Sequence, residues 1–163
     1  MTKTIAPTPT TPQNQPPKKG SFENPAKIRE TLVIETISEK WEITVLEYER
    51  GDAATKKVLN ANMFNDRPES GYEYLLVKVR VKYTEGTGSK YVDSFRVYVD
   101  GEGFDRQIIV WPESMKEMEF MKKLLPGGKA EGWLAFIVPK NKEALLAYEI
   151  LFEPAGFIKI PAR

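Results

Sequence analysis

From residue 30 onward the chain alternates apolar and polar positions in short runs. Within Tyr72–Tyr83, Leu75, Val77, Val79, Val81 and Tyr83 fall on one face, and Lys78, Arg80 and Lys82 on the other. A period of two predicts a strand buried on one side only. Ser94–Val99 repeats the pattern, with Phe95, Val97 and Val99 inward and Arg96 outward. Glu30–Ser38 and Trp41–Glu49 are rich in β-branched residues and lie on either side of a short polar turn, which predicts a hairpin. Asp100-Gly101 marks another turn, followed over Phe104–Trp111 by a partner strand or an extended segment that Pro112 ends. Gly132–Val138 is apolar throughout, as expected of a central strand covered on both faces, and Pro139 stops it. Leu145–Phe152 alternates again, with Leu146, Tyr148, Ile150 and Phe152 on one face, and Gly156–Ile160 closes the series.

Seven to eight strands without alternating long helices predict an all-β antiparallel sandwich rather than a parallel sheet. Two segments interrupt the pattern. Asp52–Asp66 is a long connection with room for a helical turn around Thr55–Leu59. In Ser114–Leu125, Ser114 and Glu117 have the spacing of a capping box, and Met115, Met118 and Met121 recur at helical intervals. Residues 114–125 therefore read as a short helix or a loop that covers an open end of the sandwich, and their methionines are a candidate adaptable contact surface.

Before residue 22 the pattern vanishes. Residues 2–20 hold five of the twelve prolines beside five threonines. Such a segment buries too little apolar surface to offset the entropy of ordering it. The expected organisation is a disordered Thr/Pro-rich linker over 1–21 and one folded domain over 22–163. The linker reads either as a free end or as the spacer of a tethered extracytoplasmic domain whose export signal lies upstream.

Composition narrows the chemistry. The 163 residues contain no Cys and no His. That removes disulfides, thiolate nucleophiles, Ser-His-Asp triads and the common zinc and copper sites. Lys and Arg number 24 against 23 Asp and Glu, a net charge of +1. Lys3, Lys18 and Lys19 give the first 20 residues +3, which leaves −2 for the rest. A dedicated nucleic-acid binder would be more basic. Few glutamines and no Cys also suit a heat-adapted source.

The stretches Asn24-Pro25, Trp41–Leu46, Asn62–Asn65, Gly71–Val81 and Pro126–Pro139 together resemble the DUF4352 family. The best markers are Gly-Tyr-Glu-Tyr-Leu-Leu-Val-Lys-Val from Gly71 and Pro-Gly-Gly-Lys-Ala-Glu-Gly-Trp from Pro126. The resemblance implies an immunoglobulin-like β-sandwich of secreted proteins and lipoproteins, outside the cytoplasm, with no catalytic residues and no cofactor to carry across.

The binding candidates are Trp111, Met115, Met118 and Met121 as an apolar anchor, and Lys78, Arg80 and Lys82 as a basic row for an anionic surface partner. Trp41 and Trp133 read as core. Asp100, Glu102 and Asp105 are the nearest approach to an oxygen-ligand calcium loop, and Asp52, Asp66 and Glu69 are a further acidic set. The expected function is a non-catalytic binding module for a protein or a cell-surface polymer, with membrane association only through an upstream anchor. The alternatives are an assembly domain of an envelope complex, or a glycan-active enzyme using two carboxylates.

Overall fold

The structure is a computed structural model that describes residues 16–163. Most of the Thr/Pro-rich linker lies outside the described residues. Eight antiparallel strands form the domain: β1 (Thr31–Glu35), β2 (Lys40–Arg50), β3 (Tyr72–Glu85), β4 (Ser94–Val99), β5 (Glu102–Gln107), β6 (Lys129–Pro139), β7 (Ala144–Ile150) and β8 (Glu153–Ile160). They are hydrogen-bonded in the order β1-β2-β3-β6-β5-β4-β7-β8. β5 is the corner: residues 102–105 pair with β4, while Arg106 and Gln107 pair with β6. The sheet thereby turns back on itself in two layers around one core, to which both halves contribute side chains. This is the all-β sandwich that the alternation predicts.

β3 shows how the pattern positions everything else. Its second half alternates as expected, with Val79, Val81 and Tyr83 buried and Arg80 and Lys82 exposed. Its first half is buried on both faces from Glu73 to Val77. The cover is α1 (Asp52–Ala61), whose Ala54 and Val58 are one helical turn apart and pack with Tyr74, Leu76, Met115, Trp133 and Ala135. The Thr55 hydroxyl accepts a hydrogen bond from the Tyr74 amide at 3.0 Å, which fixes the helix on the strand. The Gly132–Val138 part of β6 is apolar for the same reason: the cluster built by α1 and Met115 covers one face and the sandwich core the other. One half of the outer face is thus roofed and the other half is open.

Three expectations are corrected. First, residues 114–125 form no helix; they run as an irregular strap. The Met118 amide donates to the Trp133 carbonyl at 3.0 Å, and the Trp133 amide donates to the Lys116 carbonyl at 2.8 Å. The strap completes the edge of β6 beyond the two residues that pair with β5. Hydrogen bonds to a sheet edge outcompete the helix that the spacing favours. The helix stands instead in the connection where a single turn is expected. Second, Phe152 does not face inward. It forms with Leu151 the two-residue turn of the β7–β8 hairpin, where both have positive φ and are 81% exposed. Third, of the two readings of Phe104–Trp111, the strand reading holds only to Gln107, where β5 ends, and residues 108–111 lie outside any strand.

The core contains tyrosines as well as aliphatic residues. Tyr83 stacks on Trp41 with ring centroids 4.8 Å apart, and Tyr148 contacts both Trp41 and Phe95. Burial, aided by the charge of Asp66, pushes the Tyr74 phenol from 10.0 up to about 12. Burial likewise raises Tyr148, and burial together with a bond to Glu149 raises Tyr98. The fold therefore holds the neutral phenols. Their contribution is complete below pH 10 and fades as pH climbs through the folded values. With no histidine to titrate, urea midpoints should stay level between about pH 6 and 9 and fall between about pH 10 and 12. A level midpoint across the alkaline range would contradict this account.

A basic groove on the open half of the sheet

Cross-strand register assembles the open half residue by residue. On one side of β3, Lys78 faces Glu47, Arg80 faces Thr44 and Lys82 faces Glu42. On the other side, Lys78 faces Trp133, Arg80 faces Glu131 and Lys82 faces Lys129. The Lys82–Lys129 pair places two ammonium groups directly opposite, an arrangement that costs stability. The Lys122–Gly128 turn rises beside it. The resulting groove has a volume of about 840 Å³ and is lined by five cations, Arg80, Lys82, Lys122, Lys123 and Lys129. Glu42 is the one lining acid, and Thr31, Thr44, Leu125 and Pro126 supply the uncharged wall. Arg80 donates to Glu131 at 3.1 Å and Lys122 pairs with Glu119 at 3.6 Å. Among the described residues the other three lysines of the groove form no ion pair.

Of the basic row expected on β3, two members reach this groove. Lys78 does not: it is half-buried beside the roofed half. Lys122, Lys123 and Lys129 complete the cluster and were missed. The signal available for them was the basic run around Pro126-Gly127-Gly128.

The Met-rich contact surface is not formed. Met115 packs under α1, Met118 enters the main core, and Met121 alone is exposed, at 87%. Trp111 is half-buried against the α1 cluster, with its indole N–H enclosed and unpartnered. Exposed apolar side chains occur nearby instead, at Met63, Phe64, Ile108 and Val110. Asn65 holds the two loops together, donating to the Val110 carbonyl at 2.8 Å and accepting from its amide at 2.8 Å.

Three of the six acidic candidates are in ion pairs. Asp100 pairs with Lys142, and Asp105 pairs with Arg96 across the β4–β5 hairpin. Asp52 pairs with Lys140. Among the described residues no three acidic side chains converge as a metal ion would require. The buried carboxylates are structural. Glu149 accepts from Arg96 and from the Tyr98 hydroxyl, and Glu73 accepts from Arg50. Among the described residues no helix is long and apolar enough to cross a membrane.

The fold has known counterparts. A family described as a domain of unknown function, DUF4352, matches residues 35–158, and the chain belongs to that family. Two solved structures share its architecture. One is a candidate lipoprotein, ycdA of Bacillus subtilis, at TM-score 0.57 and 19% identity; the match covers 78% of this chain and 39% of that one. The chain thus spans well under half of that protein. The other is MPT63, a secreted protein of Mycobacterium tuberculosis, at TM-score 0.55 and 15% identity, covering 89% of this chain and 97% of that one. No curated protein matches the chain.

Proposed function

We propose that this domain is a non-catalytic binding module that acts outside the cytoplasm and holds an anionic partner in the groove between β3, β6 and the Lys122–Gly128 turn. The observation that carries this reading is the excess charge of that groove: five cations line it against one acid, three of them (Lys82, Lys123 and Lys129) form no ion pair among the described residues, and Lys82 and Lys129 are opposite one another in the β3–β6 register. Like charges held opposite one another on a rigid sheet lower stability unless something compensates them, and a bound anion does so. The extracytoplasmic setting is supported by the Thr/Pro-rich segment ahead of the domain and by the secreted and lipoprotein-like proteins that share the fold. Recognition rather than reaction is supported by the ion pairs that Asp52, Asp100 and Asp105 make and by the absence, among the described residues, of three converging acidic side chains.

The test uses the full chain on immobilised dextran sulfate at physiological salt. Wild type is retained, and the double variant Lys82→Glu with Lys129→Glu elutes early. A control with the same charge change, Lys56→Glu with Lys159→Glu, is retained like wild type. Equal losses for the two double variants would reduce the effect to net charge and overturn the reading. Lys129→Glu alone replaces a repulsive pair by an attractive one. It should raise the unfolding free energy by about 0.5 kcal/mol while weakening retention.

A further inference from the structure

We infer that the partner in this groove is a linear polymer whose negative charges are separated by uncharged, hydroxyl-bearing spacers, an inference that rests on the binding function proposed above. The groove crosses the strands rather than following one. Thr31 lies on β1, Glu42 and Thr44 on β2, Arg80 and Lys82 on β3, and Lys129 on β6. Three strand spacings give it a length of about 14 Å, more than a single phosphate spans.

The groove has no cradle for one compact anion. The Gly127 amide is spent on the Tyr83 carbonyl and the Gly128 amide on the Leu125 carbonyl. The Arg80 Nε is spent on Glu131. What remains are the Nη groups of that one guanidinium and the lysine ammonium groups, which are separate point charges that meet anionic groups one at a time. Between and beside them lie surfaces suited to neutral spacers. The Thr31 and Thr44 hydroxyls are 3.3 Å apart, and Leu125 and Pro126 form an apolar wall.

Two other polyanions fit less well. No aromatic side chain lines the groove, so the bases of a single-stranded nucleic acid find no stacking platform. The Lys122–Gly128 segment walls one side of the groove, a shape that a chain lying along it fills better than a flat bilayer does.

The experiment measures binding of the full chain to poly(glycerol phosphate) oligomers of increasing length. Glycerol 3-phosphate, inorganic polyphosphate, a single-stranded oligonucleotide and vesicles containing an anionic lipid are the comparisons. Affinity should rise at least tenfold from the monomer to a hexamer. The slope of log affinity against log salt should lie near −2, the value for about three lysine contacts. Lys82→Glu with Lys129→Glu should lose at least tenfold. Thr31→Val with Thr44→Val should weaken the oligomer several-fold and leave polyphosphate unchanged. Tighter binding of the oligonucleotide, the vesicles or polyphosphate overturns the inference. Groove-dependent binding that is indifferent to chain length also overturns it, but leaves the binding function standing. If no probe binds in a groove-dependent way, both fall.

Discussion

Arg50→Met should destabilise the domain by about 3–5 kcal/mol, a loss expected when one partner of a buried ion pair is removed. The Arg50 and Glu73 side chains are 2% and 5% exposed, and their charged groups meet at 3.0 Å. Arg50 also donates to the carbonyls of Lys142 and Pro161 at 2.8 Å each and to that of Pro139 at 3.4 Å. One guanidinium thus ties together the end of β2, the start of β3, the end of β6, the β6–β7 turn and the segment after β8. Methionine keeps the unbranched stem but not the guanidinium, so three carbonyls lose that donor and the buried Glu73 carboxylate retains the Asn141 amide at 3.3 Å but no cation. Urea unfolding of wild type and Arg50→Met measures the difference. Lys57→Met, which breaks an exposed pair with Glu49, is the control and should cost at most about 0.5 kcal/mol. A loss below about 1 kcal/mol for Arg50→Met would show that water replaces these bonds and that the pair is not a keystone.

Gly132→Ala is the second large effect, about 3 kcal/mol, at the upper end of the range for overpacking. A Cβ at this position would lie 2.5 Å from the Glu117 carbonyl oxygen and from the Met118 amide nitrogen and Cα. All three are backbone atoms of the strap, held by its hydrogen bonds to Trp133, so no side chain can swing aside. Gly71→Ala separates crowding from backbone conformation. Gly71 has φ +88 with no atom within 4 Å of the added methyl, so its cost is conformational, about 1–2 kcal/mol. Hydrogen exchange at the Met118 and Trp133 amides should accelerate in Gly132→Ala and remain unchanged in Gly71→Ala. Equal costs for the two variants would disprove close packing of the strap against β6.

These two sites also mark where reading the sequence succeeds and where it stops. The alternation from Lys78 to Tyr83 is legible because one face of β3 meets the core and the other meets water. The apolar run in β6 correctly signals cover on both faces. It does not say what provides the cover, because α1 buries only Ala54 and Val58 and its other apolar residues, Ala53, Leu59 and Ala61, follow no single face. The methionine spacing misleads for a related reason. A helix and an edge-covering strap ask for similar apolar residues, and the choice is made by Gly132 and Trp133, more than ten residues downstream. Leu151 and Phe152 continue the alternation of β7 on paper, but the hairpin needs its two turn residues there. The groove divides in the same way. Arg80 and Lys82 follow from one strand's periodicity, whereas Lys129 joins them only through the β3–β6 register. Glu73 and Arg50 sit in separate strands, and their pairing likewise depends on register.

The residues just ahead of the first strand have a mechanical consequence. Gly20 and Ala26 lie along the outer edge of β8. The Ala26 amide donates to the Phe157 carbonyl, the Phe157 amide to Gly20 and the Lys159 amide to Ala26. Below residue 20 the chain leads into the Thr/Pro-rich segment. A pull transmitted along that segment therefore loads three amide–carbonyl bonds at the margin of the sandwich before it reaches either sheet. None of the three bonds involves β3, β6 or the groove between them.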